Sequence, residues 1–238
     1  MINILYKDKY LLLCQKPVGI PSQKDMAGGE NLLDLLSQTN PYVGLVHRLD
    51  THTGGVMMYS LDKSATGKLS ALVSDHEAFV KEYIAISEGI PEGFPSDARD
   101  ESYTMEDELY HDKLKNKSFT VDRPRGGSKK ARLVCRLISS VEDEDGNLRA
   151  LWLVRLYTGR THQIRVQFAS RCAPLLGDGK YGGREKRATT ALWSYRVNFK
   201  HPVTRKEVSA SVLPDTDTFP WNLFSKETYE KIDKISLK

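Results

Sequence analysis

Three short stretches of the 238-residue chain carry side chains whose types and spacing could do chemistry. The first is His47-Arg48-Leu49-Asp50-Thr51-His52-Thr53-Gly54-Gly55, a polar run between two apolar ones with a carboxylate beside an arginine. A carboxylate on a loop between strands is a common reactive group, because the strands hold what the loop presents. Taken alone, the stretch also reads as a surface ion pair with a glycine turn, contributing about 0–1 kcal/mol. The second is Thr158-Gly159-Arg160-Thr161-His162-Gln163-Ile164-Arg165, which crowds two arginines, a histidine and a glutamine into the start of an expected helix. A helix N-terminus carries unpaired N–H groups and partial positive charge, so cations there conflict with local preference unless an anion arrives. Such conflicts mark functional sites, although an exposed polar helix start has the same composition. The third is Lys81-Glu82-Tyr83, where a phenol could stack on a base or handle a proton, or simply fill a cross-strand contact.

The elements that must position these residues are legible from periodicity. Residues 3–6 and 10–15 read as strands, closed by Lys16-Pro17-Val18-Gly19-Ile20-Pro21, which ends any regular element. A short helix is expected over 31–37, and strands over 43–45 and 56–59 flank the His47–Gly55 loop, with the glycine pair closing it. Leu61, Ala65, Leu69 and Leu72 recur at helical spacing within 60–74. Residues 80–87 alternate as a strand, 88–130 read as hairpins and loops, and 131–140 and 148–157 read as strands. The last of these is apolar on both faces at Leu151, Trp152, Leu153 and Val154, as a central strand requires. A helix over 161–171, a hairpin of 191–199 with 207–212 and a short helix over 226–232 complete the chain. Many strands and few helices give an α+β fold with a mixed, mostly antiparallel sheet. One domain over 1–225 with a tail over 226–238 is expected.

Composition narrows the function. Apolar residues are 39% and charged residues 28%, enough for a core and too ordered a mixture for a disordered chain. No apolar run approaches the roughly 18–20 residues of a membrane span, and the N-terminus lacks the pattern of a secretory signal. A cytoplasmic protein without a membrane partner is therefore expected. Cys14, Cys135 and Cys172 are far apart, which gives no disulfide framework and no metal-ligand spacing; three free, mostly buried thiols are expected. The net charge is only +4, but it is unevenly spread. Residues 97–112 hold seven acidic side chains and one basic one, and residues 113–136 hold nine basic and one acidic. Residues 180–206 hold eight basic and one acidic. Clustered Lys and Arg are the footprint of a phosphate-backbone binder, or of a solvated surface whose charges balance in three dimensions.

Together these segments resemble the RluA family of RNA pseudouridine synthases, in order and over nearly the whole chain. His47-Arg48-Leu49-Asp50 followed by Thr53 is similar to the family's nucleophile motif, and Lys81-x-Tyr83 with Ala85 and Gly89 to its tyrosine strand. The run from Gly159 to Arg165 is similar to its arginine motif. Leu13-x-x-Lys16-Pro17-x-Gly19 with Pro21, Leu176-Gly177-Asp178 with Tyr181-Gly182, and His201-Pro202-Val203-Thr204 resemble the remaining motifs.

The resemblance implies a pseudouridine synthase fold with flanking helices and a central cleft, and a metal-free, cofactor-free isomerisation of uridine within tRNA or rRNA. It implies Asp50 as nucleophile on the sugar or base of a flipped-out uridine, and Tyr83 stacking on that base and assisting a late proton step. Arg165 would pair with Asp50 and keep it ionised. Arg48 would fill the gap the base leaves, and Ile164 would line the pocket. His47, Thr53, Lys81, Arg160, His162 and Gln163 complete the expected RNA-contacting set. The family norm further implies a monomer with no obligate protein partner. The chain departs from many relatives in having Gly54 in place of a serine, which would loosen the loop, and Gln167 in place of a histidine. An N-terminal RNA-binding domain is expected to be absent, leaving residues 97–130 with Arg184, Lys186 and Arg187 as candidates for RNA recognition. An RNA-remodelling protein of the same fold, and a hydrolase of N-glycosidic bonds using Asp50 with Asp178, are the alternatives.

Overall fold

The computed structural model describes residues 2–24, 28–94, 101–235 and 237. In chain order the elements are β1 (Ile4–Lys7), β2 (Leu11–Lys16), α1 (Leu32–Ser37), β3 (Gly44–Leu45), β4 (Gly54–Ser60), α2 (Lys63–Ser74) and β5 (Phe79–Glu88). They continue as β6 (Tyr103–Asp112), β7 (Lys117–Val121), β8 (Ser128–Glu142), β9 (Leu148–Leu156), α3 (Gln163–Ala169), β10 (Leu192–Lys200), β11 (Glu207–Ser211), a 3-10 turn (Trp221–Leu223) and α4 (Lys226–Ile232). The chain forms two compact units, Met1–Glu82 with Trp193–Pro214, and Tyr83–Leu192 with Asp215–Lys238. The division falls within β5.

The first unit orders its strands β1-β2-β4-β10, with β3 paired to β4 and β11 to β10. All these pairings are antiparallel except that of β10 with β4. Every residue of β4 is buried, as a strand covered on both faces must be. Helix α2 starts where the Asp62 side chain accepts the Ala65 N–H, three residues later than its apolar spacing alone suggests. Its Ala65, Leu69 and Val73 recur every four residues and pack on Leu11, Leu13, Val56, Met58 and Phe79. That face is one stripe of a 3.6-residue period. The β10–β11 hairpin forms as expected, with His201 Nδ1 accepting the N–H groups of Val203 and Thr204 in its turn.

The second unit orders β5-β9-β8-β6-β7. Strand β9 is buried from Arg149 to Val154, as its double-sided apolar pattern implies. Trp152 on it packs edge-on against Phe94 and Phe168, and its indole N–H donates to Ser87 Oγ at 2.8 Å. The stretch read as hairpins and loops contains a regular hairpin, β6 with β7, extended by β8, which is longer than its apolar core suggests. Residues 97–100 of the acidic run lie outside the described residues. Helix α4 carries buried Tyr229 and Ile232, and the Arg155 guanidinium donates to the Leu237 carbonyl. Cys14 and Cys135 are buried thiols, one in each unit, whose pKa burial pushes up to about 12; Cys172 is exposed.

The glycines after the Asp50 loop are part of β4, where the expected strand began two residues later. β10 runs parallel to them, Trp193 opposite Gly54 and Ser194 opposite Gly55. A β-carbon on Gly54 would enter the Trp193 ring, and one on Gly55 would enter the Ser194 backbone. Gly55 also has φ +109°, which L side chains rarely adopt. The pair is thus required by close packing and does not loosen the loop. Gly55→Ala is expected to destabilise the protein by about 3 kcal/mol or more, because backbone strain adds to a backbone clash. A urea melt showing a loss under about 1 kcal/mol would contradict this.

Candidate functional site

The Asp50 loop is pinned from both sides. Lys16, at the end of β2, is fully buried, and its ammonium donates to the carbonyls of Pro17 (2.8 Å), Ile20 (2.7 Å) and Thr51 (3.1 Å). Three donors thus meet three acceptors, which a buried cation needs. Burial pulls the Lys16 pKa down to about 8, opposed by the nearby charge of Asp50. On the other side, Ser22 Oγ donates to the Leu49 carbonyl and accepts the Leu49 N–H, while Tyr59 Oη holds the Ser22 carbonyl. The Gly19 N–H reaches Thr51 O, and the Thr53 N–H closes the turn on Asp50 O. Asp50 therefore sits between two fixed residues with a cation beside it. It remains partly exposed.

The neighbours divide by exposure. Arg48 is exposed, and Thr53 is buried. His47 Nε2 accepts the Met58 N–H at 2.9 Å, so the ring is neutral with its proton on Nδ1. Burial and the charge of Lys81 drive its pKa down to about 3. Lys81 is buried on β5, where its own pKa falls to about 8, and its neighbour Glu82 binds Arg196 Nε at 2.6 Å.

In the second unit, Tyr83 is buried on β5. Arg165, on the first turn of α3, forks onto Asp178 through Nε at 2.6 Å and Nη2 at 2.7 Å. Both partners are buried, so the pair is bidentate and dry, which fixes the guanidinium plane. The Arg165 guanidinium also lies over the Tyr181 ring, 5.1 Å from its centre. Tyr181 Oη accepts the Ser118 N–H and is 2.9 Å from His162 Nδ1. With both oxygens on Arg165, Asp178 is not free to serve as a second reactive carboxylate.

The arginine motif is wound tighter than a simple helix start. His162 adopts the left-handed conformation at φ 56°, so α3 begins at Gln163, two residues later than expected. The Gln163 amide oxygen accepts from Thr158 Oγ1 and the Arg160 N–H, and its nitrogen donates to Arg132 O. Gln163 is therefore the staple of this turn, and Ile164 is buried beneath it. Arg160 Nε is held by Lys130 O. Gln167 is fully buried and donates to Met105 O and Asp107 Oδ2. No group of three or more His, Cys, Asp or Glu among the described residues could hold a metal ion. Lys16 and Asp178 lie in motifs of the resemblance, but residue type alone does not show their positioning contacts, the three carbonyls on Lys16 and the fork on Arg165.

Residues 10–170 match the family model described as RNA pseudouridylate synthase. An uncharacterized RNA pseudouridine synthase of Haemophilus influenzae is 30% identical over 228 residues, 92% of this chain and 90% of that one. The tRNA pseudouridine synthase C of Pasteurella multocida is 27% identical, covering 94% of this chain and 98% of its own. The ribosomal large subunit pseudouridine synthase C of Buchnera aphidicola is 29% identical over 87% of this chain, which spans 65% of that protein. Among solved structures, human RNA pseudouridylate synthase domain containing 1 superposes with a TM-score of 0.74 over 99% of this chain and 96% of its own, at 20% identity, and so shares the fold.

Two outcomes follow from the buried charges. Asp178→Ala leaves Arg165 as a buried cation without its fork and is expected to lose about 3–5 kcal/mol, most of it recovered when Arg165→Met is added. Equal losses in the single and double variants would refute the coupling. Lys16 has a folded pKa below its unfolded one, so the unfolded chain binds more protons between about pH 8 and 10.5. Stability should therefore rise across that window, with Lys81 adding a slope of the same sign. Urea melts of Lys16→Met should show a shallower rise; an unchanged slope would exclude Lys16 as its source.

Proposed function

The chain belongs to the RNA pseudouridylate synthase family, and from that premise we propose that it isomerises specific uridines to pseudouridine in structured rRNA or tRNA, with Asp50 as the nucleophile. The observation that carries the reading is the fixing of Asp50 by its two neighbours, Leu49 on Ser22 and Thr51 on Lys16. A nucleophile that forms and later releases an adduct gains most from such fixed placement. In the reaction the bond between the sugar C1′ and the uracil N1 breaks, the base turns, and a bond from C1′ to C5 forms. The C5 proton is then lost and N1 takes one up, so every heavy atom is kept and no redox partner is needed.

The target base must leave its stack to reach the carboxylate. In this reading exposed Arg48 occupies the gap, Tyr83 stacks on the extruded base and assists the proton step, and Arg165 is the cation paired with the nucleophile. Asp178 holds the plane of Arg165, and His47, Thr53, Lys81 and Gln163 shape the loops that present these groups. The basic runs take the RNA phosphates. End-to-end similarity to a tRNA enzyme makes tRNA the first pool to test. The reading places the protein in the cytoplasm, acting as a monomer. No helix among the described residues is long and apolar enough to cross a membrane.

The test is tritium release from tRNA and rRNA labelled at the uracil 5-position, taken from cells lacking this protein. Wild type should release tritium from at least one pool, and Asp50→Ala should release it at least about a thousandfold more slowly with its fold intact. Normal release by Asp50→Ala would overturn the assignment. RNA annealing that survives the substitution, with no release by wild type, would favour a remodelling role.

A further inference from the structure

The tip of the β6–β7 hairpin is unlike the rest of the surface. Its four residues, Lys113, Leu114, Lys115 and Asn116, are all exposed, and the Leu114 side chain is 100% exposed. Scattered exposed leucines need no explanation, but this one is presented by a built turn. The Asp112 carboxylate accepts the N–H groups of both Leu114 and Lys115. Asn116 takes the left-handed conformation at φ 45°, and its carbonyl is held by Lys180 Nζ at 3.0 Å. The backbone is thus set before any partner arrives, and the apolar side chain points into water between two lysines.

The hairpin is also fastened to the arginine motif. At the base of the tip, Ser118 Oγ donates to Thr161 O at 2.6 Å, and the Ser118 N–H donates to Tyr181 Oη at 2.8 Å. The same Tyr181 ring lies against Arg165. The tip is therefore four residues from a group bonded into the Gly159–Arg165 turn. We infer that Leu114 is a wedge that inserts between bases of the RNA beside the target uridine, with Lys113 and Lys115 on the flanking phosphates. A single leucine offers far too little area for a protein interface, whereas one apolar side chain is enough to part a base step. Flanking ammonium groups suit a polyanion. The inference rests on the pseudouridine synthase reading for the identity of the RNA, and it adds a residue that this reading does not use.

The test places the photo-crosslinker p-benzoylphenylalanine at position 114 and irradiates the protein with the same tRNA and rRNA pools. The expected result is an RNA adduct whose reverse-transcription stop lies within a few nucleotides of the modified uridine. In parallel, Leu114→Ser should lower kcat/KM for tritium release roughly tenfold, the scale of one good contact with a base, while Leu114→Met keeps it. Lys113→Ala with Lys115→Ala should reduce the salt slope of RNA binding by about one to two units. No RNA adduct, an adduct on a protein, or stops scattered evenly along the RNA would overturn the inference, as would wild-type kinetics for Leu114→Ser. If wild type releases no tritium from either pool, the activity reading fails, and a stop at one fixed RNA position still decides for the wedge.

Discussion

A buried ammonium held by three backbone carbonyls organises the first unit. Lys16 is buried at the end of β2, and the chain brings carbonyls to it. It draws them from residues 17 and 20 on one side and residue 51 on the other. The Pro/Gly-rich turn after β2 and the loop before β4 are thereby drawn to a single cation. Their connection is local electrostatics in a dry site, where each unmade bond would leave a polar group without solvent. The carboxylate at position 50 inherits its placement from this arrangement, and the crowded glycines at 54 and 55 hold the other end of the same loop against β10.

The second unit solves a similar problem with the opposite sign at its centre. Asp178 is almost wholly inaccessible and is satisfied by the fork of Arg165. The aromatic ring of Tyr181 covers the guanidinium, and its hydroxyl ties Ser118 of β7 to the His162 turn. A hairpin strand, a motif turn and the Arg165 guanidinium thus share one small cluster of hydrogen bonds and ring contacts. The fork and the ring together restrict the rotamers open to Arg165.

Much of this was legible in the residues, for identifiable reasons. The apolar run at 151–154 points to a strand covered on both sides, and the spacing of Leu61, Ala65, Leu69 and Leu72 to a helix with one buried face. The loop at 47–55 stood out because a carboxylate, two histidines and an arginine lie between apolar strands. Long-range partnership was less legible. Gln163 looks like a ligand-facing amide in sequence, but its bonds to Thr158, Arg160 and Arg132 make it a staple. The glycines read as slack because the Trp193 ring that needs their bare backbone is more than a hundred residues away. The fork of Asp178 on Arg165 depends on a loop returning to a helix, which no local pattern encodes.

The cysteines have a consequence of their own. Cys14 lies in β2 of the first unit and Cys135 in β8 of the second, both sealed from solvent with thiols held in the unreactive protonated form, while Cys172 is exposed. A thiol reagent must wait for each unit to open before it can reach the sealed sulfur inside. The native chain therefore carries one intrinsic clock in each half and, at Cys172, an exposed reference thiol in the second, so the opening of the two halves can be timed separately without any engineered label.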